Sequence, residues 1–150
     1  MLFDSVVTPR VLYGAAAWTL TRTLEKKLLV ARRRMLRMIF GYRRYTMESW
    51  VEYIVRVTHA IEDHICSLSK DWVYQARLRK WRSAGKLAAA VDGRWNTRLV
   101  GWRPCLAKGR HVGRPRTRWE DFFVAMAGGE WLEAASDQRL WRLLEPALKA

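Results

Sequence analysis

The sequence predicts an all-α protein, an irregular bundle of roughly five to seven helices with a basic Gly/Pro-containing loop around 103–116. Three observations lead there. Apolar residues recur three and four apart along most of the chain, the period of one buried helical face. No alternating run of β-branched residues lasts beyond a few positions, so strands are not expected. Half of the 150 residues are apolar and nine are tryptophan, which favours a packed core over a disordered chain.

The first segment, 2–17, contains Pro9 and Gly14 and is predicted as a kinked helix or two short ones. Thr19, Thr21 and Thr23 are candidate N-caps for a helix over 22–40, with Gly41 as the residue that ends it. At about 100° per residue, Leu24, Leu28, Ala31, Met35, Met38 and Ile39 form one stripe, expected to face the core. Lys26, Lys27, Arg33, Arg34 and Arg37 gather on a face roughly 130° away. Only Glu25 interrupts these cations, and like charges within a turn or two repel unless a polyanion lies opposite.

A third helix is predicted over 47–67, with Trp50, Tyr53, Ile54, Val57, Ile61 and Ile65 inward and Glu48, Glu52, Glu62 and Asp63 outward. Ser69 or Asp71 caps a fourth over 72–90, burying Trp72, Ala76, Trp81, Ala84 and Leu87. Its other faces carry Arg77, Arg79, Lys80, Arg82 and Lys86. Asp92-Gly93 breaks the chain before a short helix from Trp95, and Trp102-Arg103-Pro104 leads into a basic arm. There Lys108, Arg110, Arg114, Arg116 and Arg118 are spaced by glycines and a proline. Thr117-x-x-Glu120 reads as a capping box, followed by Trp119, Phe122, Phe123 and Met126 on one face. A turn or two follows from Trp131. Asp137 caps the last helix, with Leu140, Trp141, Leu144 and Leu148 inward and Pro146 weakening its end.

Charge comes in blocks. Residues 1–46 carry +8, 47–75 carry −3, 76–118 carry +12 and 119–150 carry −3, for a total of +14. A basic chain of this kind points to a nucleic-acid partner, with an anionic membrane surface second. The longest apolar run, 11–18, is far short of the ~20 residues that span a bilayer. Cys66 and Cys105 fall in no metal-ligand spacing and read as reduced thiols of an intracellular protein, nuclear or cytoplasmic and not secreted. The opening segment is arginine-rich and acid-poor, as targeting presequences are, but its helical pattern fits a core element equally well. His59, His64 and Cys66 lie on different faces of their helix, which argues against a metal site. Tryptophan next to arginine recurs, and most of these rings occupy core positions. Trp95 and Trp102, flanked by turns and cations, are the candidates for stacking on unpaired bases.

Five blocks in order carry a family resemblance: Leu12-Tyr13-Gly14 with Trp18-Thr19-Leu20, then Arg33 through Gly41, Arg79-Lys80-Trp81-Arg82-Ser83-Ala84-Gly85, Trp102-Arg103-Pro104, and Gly113 through Trp119. Together they resemble the C-terminal thumb and post-thumb region of reverse transcriptases encoded by non-LTR (LINE-like) retrotransposons. The resemblance implies a thumb-like helical bundle over 1–102, and the basic arm with C-terminal helices over 103–150 on the same core, as one domain. It also implies a fragment of an RNA-directed DNA polymerase, a truncated or decayed copy or a gene-model fragment. The family's catalytic aspartates and their divalent metals belong to an upstream palm, so neither an enzyme activity nor a cofactor is expected of this chain. Partners implied are DNA or RNA–DNA duplex, RNA, and the rest of such a polypeptide. The expected phosphate contacts are Lys26, Lys27, Arg33, Arg34, Arg37, Arg79, Arg82, Lys108, Arg110, Arg114, Arg116 and Arg118. Two other readings compete. Gly113-Arg114-Pro115 resembles the core of an AT-hook, though Val112 stands where that motif has arginine. The basic amphipathic helix over 22–40 could instead lie on anionic lipid, but packing of its apolar stripe against Trp50 and its helix accounts for it better.

Overall fold

The computed structural model describes residues 2–68, 71–90, 95–100 and 117–149, and the side chains of these except 64–68, 96, 97 and 99. The protein is all-α, and no strand occurs among the described residues. It divides into two compact units, Met1–Tyr13 with Leu20–Ala76, and Gly14–Thr19 with Arg77–Ala150.

In the first unit a π-helical turn, Phe3–Val7, runs into α1 (Thr8–Val11). Pro9 falls in the first turn of α1, where a missing N–H costs nothing. Thr21 caps α2 (Arg22–Phe40), its hydroxyl accepting from the Leu24 N–H at 3.4 Å, and Gly41 ends it at φ +64°. The return helix α3 (Trp50–Leu68) starts at a capping box: Glu52 accepts from the Ser49 N–H at 2.8 Å and Ser49 accepts from the Glu52 N–H at 3.2 Å. Asp71 starts α4 (Trp72–Ala88) by accepting from the Val73 N–H at 2.9 Å. Trp72 stacks on Phe3 at 5.7 Å and donates its indole N–H to Thr8, whose hydroxyl donates to Asp4. Every polar group that α1 brings to this core is therefore matched.

The burial of α2 corrects the sequence reading. Its buried residues are Arg32 and Leu36, whereas Leu24, Met35, Met38 and Ile39 of the predicted core stripe are exposed, Met38 by 77%. The inward face lies roughly 90° from that stripe at 100° per residue. The cause is Arg32. It sits among core residues where the carboxylates of Asp71 and Asp4 hold its charge, while burial pushes its pKa down. Leu36 is buried beside it, and Leu29 and Phe40 are half-buried on the same side. Trp50, expected inward, is 63% exposed. Val57 and Ile61 carry the buried face of α3.

The second unit takes Arg77–Ala88 of α4, then α5 (Trp95–Val100), α6 (Asp121–Ala127), α7 (Trp131–Ser136), α8 (Gln138–Leu143) and a 3-10 turn, Glu145–Lys149. Its core is aromatic. Trp81 and Trp141 stack face to face at 3.7 Å, and each donates its indole N–H to the other's carbonyl, at 2.9 and 2.8 Å. Both polar edges are satisfied without leaving the core. Phe123 packs among Trp119, Trp131 and Trp81, and the Trp119 N–H reaches the Ala16 carbonyl at 2.7 Å. Gly85 lies directly against Trp141: a Cβ there would stand 2.8 Å from the indole Cδ1.

Two local expectations change here. The Thr117–Glu120 capping box does not form. Glu120 precedes α6 without a side-chain cap, and Asp121 instead accepts from the Arg118 N–H at 2.7 Å. Met126, Leu140 and Leu144, all expected inward, are exposed, and Phe123, Trp141 and Leu148 hold the buried positions. Asp137 does cap α8, accepting from the Arg139 and Leu140 N–H groups.

Candidate nucleic-acid interface

Because Arg32 points inward, the outward face of α2 holds two parallel ridges. One is cationic. Lys26, Lys27 and Arg34 are exposed and make no ion pair or hydrogen bond among the described residues. With Thr23, Val30 and Ala31, these three line a shallow groove of about 420 Å³. Arg33 and Arg37 are half-buried, and Arg33 is tied to Glu62 of α3. The other ridge is the exposed apolar one, Leu24, Met35 and Met38. Like charges this close repel one another unless an anion lies opposite.

The loop from Gly41 to Ser49 is built around Arg56 of α3. Its guanidinium pairs with Glu48 at 2.7 and 2.8 Å, donates to the Arg43 carbonyl at 3.1 Å, and lies over the Tyr45 ring at 4.2 Å. Glu48 also accepts from the Tyr45 N–H at 3.1 Å, and the Tyr53 hydroxyl donates to the Tyr42 carbonyl at 3.0 Å. The Arg56 hydrogen bonds hold the Glu48 carboxyl down at about 2, and the same pairing raises the Arg56 pKa. Arg43, Arg44, Tyr45, Met47 and Trp50 are all exposed on this braced loop. Sequence reasoning passed over it, although Ser49-x-x-Glu52 carried the signal for a fixed helix start.

In the second unit the predicted contacts meet other duties. Arg82 makes a two-pronged pair with Glu145 at 3.0 and 2.8 Å, which holds the Glu145 carboxyl below its usual range. Beside it, Lys86, Gln138 and Arg142 line a cleft of about 500 Å³ over Gly85 and Trp141. Arg79 is half-buried. Arg118 is exposed, with Glu120 3.7 Å away. Trp95 is 75% exposed and Arg98 sits over its ring at 5.5 Å. Lys108, Arg110, Arg114, Arg116 and Trp102, and with them the AT-hook-like segment, lie outside the described residues.

Lys80, placed on the charged side of its helix by the sequence, is buried. Its ammonium lies 5.2–5.4 Å from the ring centres of Trp119, Phe122 and Phe123, and burial pushes its pKa down to about 8 against the pull of Asp121. Its neighbours in sequence, Arg79 and Trp81, gave no hint of this.

No helix among the described residues is long and apolar enough to cross a membrane. No family model matches the chain, and no solved structure matches it. The chain is similar to a putative uncharacterized transposon-derived protein of Caenorhabditis elegans, with 32% identity over 149 residues that cover 93% of this chain and 51% of that protein. It thus spans about half the length of the curated relative it matches.

Proposed function

We propose that this chain is a nucleic-acid-holding part of a transposon-derived, reverse-transcriptase-like protein. It grips a template–primer or target duplex through phosphate contacts and has no catalytic site of its own. The observation that carries the reading is the cationic ridge of α2: Lys26, Lys27 and Arg34 stand exposed with no counter-ion among the described residues, in a chain of net charge +14. Similarity to a transposon-derived protein along nearly the whole chain supports the origin, and the thumb-like motifs narrow it to the reverse-transcriptase class. Contacts of this type fix position on the duplex without reading its sequence.

The test is the salt dependence of duplex binding. Each phosphate contact contributes about 0.9 to the slope of log K against log salt, so Lys26→Ala, Lys27→Ala and Arg34→Ala together should lower the slope by roughly two to three. Circular dichroism should be unchanged, since none of the three side chains is buried. A salt-independent affinity, or a slope untouched by the triple variant, would overturn the reading.

A second reading draws on the apolar ridge of α2. With Leu24, Met35, Met38 and Ile39 exposed beside the cations, this helix has the composition of one that lies on anionic lipid. Co-sedimentation with phosphatidylserine vesicles but not with phosphatidylcholine vesicles, abolished by Met35→Asp with Met38→Asp, would select it over the duplex reading.

A further inference from the structure

The loop around Arg56 is the best-braced irregular segment among the described residues, and what it displays is aromatic and cationic. Ordering a surface loop costs conformational entropy. The ion pair, the carbonyl contact and the capping box meet that cost while leaving Tyr45 65% and Trp50 63% exposed. Tyr45 has a guanidinium over its ring, and among the described residues no other ring packs on it. Trp50 has a ring neighbour in Tyr53, at 5.5 Å. Arg43 and Arg44 are exposed in the same few residues, and Glu48, the acid nearest them in sequence, is matched by Arg56.

We infer that the 42–50 loop is a binding site for single-stranded nucleic acid, in which Tyr45 and Trp50 stack on unpaired bases while Arg43 and Arg44 contact the backbone. This rests on the nucleic-acid reading above and narrows it to a substrate class. Bases inside a duplex are already stacked and cannot reach these rings, whereas an unpaired end or overhang can. Every base presents a π-face, so the site discriminates paired from unpaired strands rather than one sequence from another. The Arg56 guanidinium over Tyr45 extends the stack, giving an order of guanidinium, phenol and base. An acidic protein segment is the competing occupant, and it would need the charge of this loop but not a flat π-face.

The experiment uses the full 150-residue chain and three labelled probes of equal length: oligothymidylate, an abasic strand with the same phosphates, and a duplex. The intact protein should bind oligothymidylate on the order of ten- to a hundredfold more tightly than the abasic strand. Tyr45→Ala with Trp50→Ala should remove that preference and leave duplex affinity within about twofold. Tyr45→Phe with Trp50→Phe should restore most of it, since the rings return without the hydroxyl or the indole N–H. Equal binding of the base-bearing and abasic strands by the intact protein overturns the inference while sparing the duplex reading, as does a parallel loss of duplex affinity in the alanine pair. Failure of all three probes to bind overturns both.

Discussion

The α2–α3 region of the first unit and the Trp81–Trp141 region of the second use the same residue types in opposite ways. In the second, tryptophans are drawn in until even their N–H groups are matched to each other's backbone, and a lysine ammonium follows them into the interior. In the first, an arginine takes the inward position, and methionine, isoleucine and tryptophan are left on the surface. Composition alone does not separate the two, since both mix aromatic and basic residues. What separates them is what meets the inward cation: the carboxylates of Asp71 and Asp4 act on Arg32, while Lys80 lies against three aromatic rings with Asp121 pulling on it. Asp71 and Asp4 offset part of the cost of burying Arg32, on a face that Leu36 shares.

The largest expected effect tests the inward half of this contrast. Trp81→Ala removes a stacked indole and one of the two reciprocal hydrogen bonds, and leaves a cavity. Urea titration should show a loss of about 3–5 kcal/mol. Trp50→Ala should stay within about 0.5 kcal/mol, as exposed substitutions do. Comparable losses at the two sites would erase the distinction between the regions.

Next comes the buried lysine. The folded pKa of Lys80 is about 8 against an ordinary value of 10.5, so the unfolded chain binds the extra proton between those limits. The penalty is therefore fully present below about pH 8 and is relieved as the pH rises toward 10.5. Across that window the stability of the native protein should gain on that of Lys80→Met by up to about 3 kcal/mol. A pH-independent difference between the two would mean that the ammonium is solvated.

Gly85→Ala ranks third. Helix propensity favours alanine by about 1 kcal/mol, but the new methyl would meet Trp141 at 2.8 Å, and overpacking costs about 1–3 kcal/mol. A small net loss is expected, and a gain would show that Trp141 has room to shift. The smallest effect belongs to the outward region. Glu48→Gln should weaken the loop above about pH 4.5 and match the native protein below about pH 2, because the carboxylate's contribution disappears once it is protonated. Hydrogen exchange at the Tyr45 amide reads it directly.

Much of the helical framework was legible in the sequence. Thr21, Asp71 and Asp137 act as the caps their positions promised, Gly41 ends its helix, and Trp72, Ala76, Trp81 and Ala84 are all buried. The facing of α2 was not legible. Its period is real but describes the wrong side, since a helical wheel cannot show that an arginine thirty-nine residues from its aspartate will be buried near it. The same blindness applies to Arg33 and Arg82, counted as free phosphate contacts until Glu62 and Glu145 met them through the fold. Lys26, Lys27 and Arg34 needed no such partner, and they stand exposed as their helical spacing implied.

The contact between Gly85 and Trp141 also bears on how such a sequence ages. Any change at the first or second base of a glycine codon installs a side chain or a stop, while the third base is silent. Alanine there is expected to cost little, so the side chains that a folded second unit excludes are the larger ones, which must displace the Trp141 ring.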